Sequence, residues 1–179
     1  MDEIKRIRRE LVYKGTIVEF CKDTMQIANG NTVYFDHIEH KGAAAVVPVL
    51  DDGKIVLVRQ FRNSIDKDVW EVPAGGLNGK EEPTIVAAER ELQEETGYTT
   101  QTPLEFLISV HTTVAFSNEK IDIYVARDLK AGKQHLDEDE YVDVKAFAIG
   151  EIKEMIYSGE ITDGKTISAI LSYADKYCK

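Results

Sequence analysis

The sequence predicts an α/β protein of the α+β kind, in which strands lie before and after a central helix and form a mixed sheet. Two apolar segments, GAAAVVPVL and IVLVRQF, are typical of buried strands, and the turn sequence DDGK separates them. A helical pattern runs from Glu82 to Thr96 and ends at Gly97, a residue suited to a helix C-cap. With 179 residues, the chain can bury a sizeable core.

An N-terminal β region is expected up to about Lys41. Two β-like runs, GTIVEFCKDTMQI and NTVYFDHIEH, flank Asn29-Gly30, a strong hairpin signal. The opening stretch MDEIKRIRRELVYKG is interpreted as a solvated lead-in to the first strand, the alternative being an amphipathic basic helix at a membrane. We therefore expect two parts, an antiparallel β region over residues 1–41 and a main domain over residues 42–179.

The elements after the central helix complete the predicted domain. The segments LEFLISVHT and KIDIYVARDL are typical of strands, and LDEDEYVDV predicts an acidic loop that runs into a strand. Two amphipathic helices are then expected, a short one in IGEIKEMIYSG and a longer one in DGKTISAILSYADKY.

Composition argues against two classes of partner. The net charge is −10, whereas a general nucleic-acid binder is basic, because Lys and Arg supply most of the affinity for phosphates. No apolar run approaches the ~20 residues that a membrane-spanning helix needs, and the N-terminus predicts no signal peptide. The cysteines, Cys21 and Cys178, lack metal-ligand spacing, so we expect a reducing, cytoplasmic location.

Three glutamates on the central helix need an explanation. Glu91, Glu94 and Glu95 lie three or four residues apart and share one face, where like charges repel. One interpretation is a solvated acidic surface on which Arg90 pairs locally. The other is a seat for a hard divalent cation, which takes oxygen ligands. Backbone carbonyls of the preceding VPAGG segment could complete such a seat.

The spacing of the helix and the loop before it favours the cation seat. The pattern comprises Gly76, Glu82, Arg90-Glu91-Leu92, Glu94-Glu95, Gly97 and Tyr98. It matches the Nudix box position by position, and the chain is identified as a member of the Nudix hydrolases. Two glycines precede the loop, and many relatives have the first of such a pair in the box position. This leaves open whether Ala74 or Gly75 supplies a metal-binding carbonyl.

Membership of this family implies a fold and a chemistry. The fold is the Nudix α/β/α sandwich, here with an N-terminal antiparallel β extension. The reaction is hydrolysis of a nucleoside diphosphate linked to another group. Divalent cations, usually Mg²⁺ or Mn²⁺, bind the box glutamates, here Glu91, Glu94 and Glu95. The resemblance gives Glu82 and Arg90 a partly structural role, in which Arg90 holds the glutamates in position.

Segments outside the box resemble the ADP-ribose pyrophosphatase branch. These are VRQFR, VWEVPAG and SGEITDGKTISAI. The branch implies a nucleoside diphosphate sugar as substrate, with AMP and a sugar phosphate as products. It also implies a homodimer in which the N-terminal strands pack or swap, and it matches Arg62 and Glu71 to substrate contacts.

Two points remain open at the level of sequence. In this branch the catalytic base comes from an acidic loop after the box, here Glu138 or Glu140. Val114 occupies a position where the branch usually has proline, which weakens the assignment to ADP-ribose. The alternatives are a Nudix hydrolase of a GDP- or UDP-sugar and a non-catalytic nucleotide-binding module.

Overall fold

A computed structural model describes residues 4–136 and 141–178 of the chain. The strands, in chain order, are β1 Lys5–Lys14, β2 Glu19–Gln26, β3 Thr32–Glu39, β4 Ala43–Pro48, β5 Ile55–Arg62, β6 Lys67–Glu71, β7 Ala74–Gly76, β8 Tyr98–Thr100, β9 Glu105–His111, β10 Lys120–Ala126, β11 Leu129–Ala131 and β12 Asp143–Phe147. The helices are α1 Thr84–Thr96, α2 Ile149–Tyr157 and α3 Gly164–Tyr177.

The chain divides into two compact units. The first comprises Met1–Gly42 and His111–Lys120, and the second comprises Ala43–Val110 and Ile121–Lys179. That His111–Lys120 belongs with the N-terminal β region was not predicted, since both flanking strands, β9 and β10, were expected to be parts of the main domain. The functional division into residues 1–41 and 42–179 stays a prediction.

The first unit contains an antiparallel sheet in the order β1-β2-β3. The interpretation of the opening stretch as a lead-in is wrong, because Lys5–Lys14 forms a full strand paired with β2. Arg9 anchors that strand, donating two hydrogen bonds of 2.7 Å each to the buried carboxylate of Asp23. The later segment joins β3, where the Ile38 amide donates to the Phe116 carbonyl at 2.7 Å.

The second unit is built on strand β4, which is buried along its whole length. Strand β4 runs parallel to β10 and antiparallel to β7, so the sheet is mixed as predicted. One face of β4 packs with α2 and α3 through Ile152 and Ile170. The other face packs with α1 through Ala88 and Leu92. Helices thus cover both faces, which explains the uninterrupted apolar run and confirms the predicted α/β/α arrangement.

Helix α1 begins later than the sequence predicts. Pro83 is the N-cap residue with an extended ψ of 132°, so the helix starts at Thr84. Gly97 ends it in the left-handed conformation with φ 75°, as predicted for a C-cap glycine. In residues 4–136 and 141–178, no helix combines the length and apolar character needed to cross a membrane.

Candidate active site

The three glutamates of α1 are buried to different degrees. The relative exposure of Glu91 is 8% and that of Glu95 is 5%, whereas the Glu94 side chain is 38% exposed. Both buried residues lie on the side of the helix that faces β7. Carboxylates are almost never this buried unless partners compensate their charge.

Glu95 links two strands of the second unit. Its Oε2 accepts a hydrogen bond of 3.0 Å from the Ala74 amide on β7. Its Oε1 accepts one of 3.3 Å from the Gln60 side-chain amide on β5. These contacts fix the carboxylate beside the Ala74–Gly76 strand.

Glu91 lies directly against Gly75. A Cβ atom added to Gly75 would lie 2.0 Å from the Oε1 atom of Glu91, whereas one added to Gly76 would meet nothing within 4 Å. Strict box spacing selects Gly76, but the close approach needs a glycine at position 75. The spacing could not reveal this difference, because it depends on which residue of β7 faces the helix.

The pairing of β7 with β4 orients the peptide groups of Ala74 and Gly75. The Val46 amide donates to the Pro73 carbonyl at 3.0 Å, and Gly75 pairs with Ala44 two residues further along. In an antiparallel ladder, the peptide groups of alternate residues point toward the partner strand. Gly75 therefore faces β4, and the carbonyl of Ala74 points outward, to the side on which its amide binds Glu95.

Arg90 gathers the acidic side chains of the box. Its Nη1 donates to Glu91 at 2.6 Å and to Glu94 at 2.8 Å, and its Nη2 donates to the Gly76 carbonyl at 3.0 Å. Its Nε lies 3.7 Å from a carboxylate oxygen of Glu82. Burial lowers the pKa of Arg90, but Glu91 and Glu94 outweigh it and the net shift is upward.

A second charged cluster surrounds Glu71 at the end of β6. Glu71 is 2% exposed, and Arg62 donates to both of its carboxylate oxygens, at 2.7 and 2.6 Å. Lys165 of α3 also donates to Glu71 and, at 3.0 Å, to Asp163. Hydrogen bonding to Glu71 raises the pKa of Arg62. The sequence predicted Arg62 and Glu71 as separate contacts, but the structure pairs them with each other.

Comparison with known proteins assigns the chain to a family. Residues 39–169 match the family model of the NUDIX domain. The chain belongs to the Nudix family. It is 38% identical to the methanol dehydrogenase activator of Bacillus methanolicus and 35% identical to the ADP-ribose pyrophosphatase of Bacillus subtilis. Each match covers 94% of this chain and 91% of the relative. The crystal structure of an ADP compounds hydrolase matches with a TM-score of 0.84 at 20% identity, covering 97% of this chain and 94% of that one.

Nudix hydrolases generally need a divalent metal, and the box residues of this chain have suitable chemistry. Carboxylates and an outward-pointing peptide carbonyl form an all-oxygen set, which hard cations prefer. Among residues 4–136 and 141–178, however, no group of three or more His, Cys, Asp or Glu side chains is arranged to hold a metal ion. The guanidinium of Arg90 lies between Glu91 and Glu94, so the carboxylates gather around its positive charge.

The ends of the acidic loop are anchored to the Nudix helix. Gln134 donates to the Glu95 carbonyl at 2.6 Å and to the Val142 carbonyl at 3.2 Å. The His135 amide donates to the Glu94 carbonyl at 3.0 Å. Both candidates for the base, Glu138 and Glu140, lie outside the described residues.

Sequence reasoning missed the partners that hold the predicted residues. These are Gln60, Asp163 and Lys165. The DGKT sequence at the start of α3 carried part of the signal, since Asp is a preferred N-cap residue. The contact between Lys165 and Glu71 joins residues far apart in the chain, so no local sequence pattern indicated it.

Proposed function

We propose that this Nudix protein hydrolyses the pyrophosphate bond of ADP-ribose or a related ADP-sugar, giving AMP and a sugar phosphate. The observation that carries the proposal is the pair of buried carboxylates, Glu91 and Glu95, held against the Ala74–Gly76 strand. The relative from Bacillus subtilis, named an ADP-ribose pyrophosphatase, supports the choice of substrate.

The box residues are the proposed ligands of Mg²⁺ or Mn²⁺. Glu91, Glu94 and Glu95 would supply carboxylate oxygens. The carbonyl of Ala74 points outward, which favours Ala74 over Gly75 as the backbone ligand. A divalent cation bound there supplies charge neutralisation of an anionic pyrophosphate. Arg90, with Glu82 beside it, keeps the glutamates at the face that meets β7.

The remaining roles fall on residues around that seat. Arg62 is the proposed contact for substrate phosphate, because its side chain is 38% exposed while Glu71 holds its orientation. Glu138 or Glu140 is the proposed general base, which takes the proton from the attacking water.

The test is a substrate panel of ADP-ribose, ADP-glucose, GDP-mannose, UDP-glucose and dinucleotides, each with Mg²⁺ or with chelator. We expect release of AMP and ribose 5-phosphate from ADP-ribose, only with the metal. Preference for GDP-mannose or UDP-glucose would favour the alternative substrate class, which the exposed Val114 keeps open. Tight nucleotide binding without turnover would favour a non-catalytic module.

A second candidate function comes from the relative in Bacillus methanolicus. That protein is named a methanol dehydrogenase activator and is 38% identical to this chain. Adding this protein to a purified methanol dehydrogenase and measuring the rate tests the candidate. An unchanged rate would rule it out for that enzyme.

A cytoplasmic homodimer is also proposed. Strand β1 lies at one end of the sheet order β1-β2-β3 and carries exposed apolar side chains, including Ile7, Leu11 and Tyr13. Such an edge is a ready surface for pairing with a second chain. Light scattering tests the assembly, and a monomeric mass at micromolar concentration would contradict it.

A further inference from the structure

We propose that Lys165 is a positioning residue for substrate binding, which acts through the buried carboxylate of Glu71 and the guanidinium of Arg62. Lys165 has this role only if Arg62 binds the substrate as proposed above, so the inference rests on the proposed function. What Lys165 adds is a second positive charge at Oε2 of Glu71, the oxygen that also accepts from Nη2 of Arg62.

The first turn of α3 is joined to the end of β6 at two consecutive positions. Lys165 donates from Nζ to the Glu71 carboxylate. The next residue, Thr166, accepts a hydrogen bond of 3.0 Å at Oγ1 from the amide of Val72. Thr166 is fully buried, so this join belongs to the core rather than to the surface. Lys165 is thereby held at a fixed place relative to Glu71.

Asp163 fixes the ammonium from the other side. It is the N-cap of α3, and its Oδ2 accepts from the Thr166 amide at 2.9 Å. The same oxygen lies 3.0 Å from the Lys165 ammonium. An N-cap carboxylate that also pairs with the second residue of its helix leaves the lysine little rotational freedom.

Exposure increases along the network from Glu71 to Arg62. The exposed fraction of the side chain is 2% for Glu71, 12% for Lys165, 24% for Asp163 and 38% for Arg62. Arg62 is therefore the member that an anionic substrate reaches most easily. The two cations and two carboxylates of the network sum to zero charge, and Arg62 also interacts electrostatically with Glu95. Without Lys165, two carboxylates would face one guanidinium, and the negative excess would repel a pyrophosphate.

Two single-charge substitutions give opposite expectations. Lys165→Met removes the positive charge and should raise the KM for ADP-ribose at least about tenfold, with kcat nearly unchanged. Asp163→Asn keeps an oxygen that can accept from the Thr166 amide and from Lys165 but removes a negative charge, so it should lower KM, by about threefold. Lys165→Arg retains the charge and should recover most of the affinity lost in Lys165→Met. Lys176→Met, on the exposed part of the same helix, is the matched control and should keep wild-type kinetics.

Steady-state kinetics with ADP-ribose and Mg²⁺, alongside thermal unfolding of each variant, test the proposal. A merely structural role predicts that Lys165→Met and Asp163→Asn lose activity together, in proportion to their loss of stability, and that result would overturn it. So would an unchanged KM in Lys165→Met. If Lys165→Met does not fold, the proposal is tested by the KM of Asp163→Asn and of Lys165→Arg. A raised KM in Asp163→Asn would then count against the proposal.

The wild-type enzyme separates this inference from the proposed function. If the wild type cleaves GDP-mannose rather than ADP-ribose, the same variants are compared on GDP-mannose, because both substrates carry the pyrophosphate. Wild-type turnover with no effect in Lys165→Met overturns the positioning role alone. A wild type that neither cleaves nor binds these nucleotides overturns both.

Discussion

The carboxylates around Arg90 and those around Arg62 are both held by a guanidinium, yet the two clusters differ in charge balance. At the Nudix helix, Arg90 brings one positive charge to three carboxylates, those of Glu82, Glu91 and Glu94, and Glu95 follows one turn along the same helix. In the cluster around Glu71, the positive charges of Arg62 and Lys165 balance the negative charges of Glu71 and Asp163. Crowded carboxylates repel one another, and a bound cation relieves that repulsion. A balanced network instead fixes geometry at little electrostatic cost.

The largest expected effect is at the unbalanced cluster. Glu95→Gln removes one charge while keeping an oxygen that can accept from the Ala74 amide, so the fold should persist. Turnover should fall at least about a hundredfold, because charge stabilisation by the metal is lost. Initial rates with Mg²⁺, together with circular dichroism, measure both expectations. Retention of most activity in this variant would contradict the metal assignment.

A steric substitution should break the same cluster without removing a charge. In Gly75→Ala, the new Cβ would overlap the Glu91 carboxylate, which must move away. That carboxylate is the end of a flexible side chain, so stability should change by no more than about 1 kcal/mol. Activity should nevertheless fall at least about tenfold, because misplaced catalytic groups are costly.

Gly76→Ala is the matched control for that substitution. A Cβ at Gly76 meets nothing within 4 Å, so its activity should stay near that of the wild type. Equal losses in the two variants would show that the close approach at Gly75 is not what matters.

A third substitution tests whether a metal ion can replace the contacts that Arg90 makes with Glu91 and Glu94. Arg90→Lys keeps the charge but loses the planar fork that reaches Glu91, Glu94 and Gly76 together. With chelator, unfolding free energy should fall by about 1–3 kcal/mol. With Mg²⁺ the loss should be smaller, because a cation bound to Glu91 and Glu94 replaces contacts that the wild type has and the variant lacks. Urea unfolding in both conditions measures the difference, and Arg127→Lys, at a surface pair with Glu105, is the control. An equal loss of unfolding free energy with Mg²⁺ and with chelator would show that the metal ion does not replace the contacts of Arg90.

The sequence predicted the elements whose patterns are local. The apolar run of β4 predicted a strand covered on both faces, and helices do cover both. The box spacing predicted that Glu91, Glu94 and Arg90 lie together, since their contacts fall within one helical turn. The prediction of Nudix membership is confirmed by the family model.

Features set by tertiary register were beyond such patterns. The need for glycine at Gly75 rather than Gly76 follows from the pairing of β7 with β4, which no local spacing encodes. The contact between Lys165 and Glu71 joins residues 94 positions apart in the chain. Strand β1 was missed because its basic residues are typical of a solvated segment. In the structure, Arg9 instead pairs with the carboxylate of Asp23 on β2.

The smallest expected effect is a pH dependence at the balanced cluster. Burial raises the pKa of Asp163, but Lys165 and the hydrogen bonds from Thr166 outweigh it and hold that pKa below its usual value. A carboxyl whose pKa is lower when folded stabilises the fold at pH above its unfolded pKa, about 3.9. That stabilisation is lost as the pH falls through the folded pKa. Between about pH 6 and about pH 3, Asp163→Asn should therefore lose less unfolding free energy than the wild type.

Chemical denaturation across that range measures the difference. Asp175→Asn, at an exposed position of the same helix, should keep the wild-type loss. Identical pH profiles for wild type and Asp163→Asn would mean that Asp163 contributes no proton-linked stability. The contacts of Asp163 with Lys165 and Thr166 would then not favour its charged form in the folded state over the unfolded one.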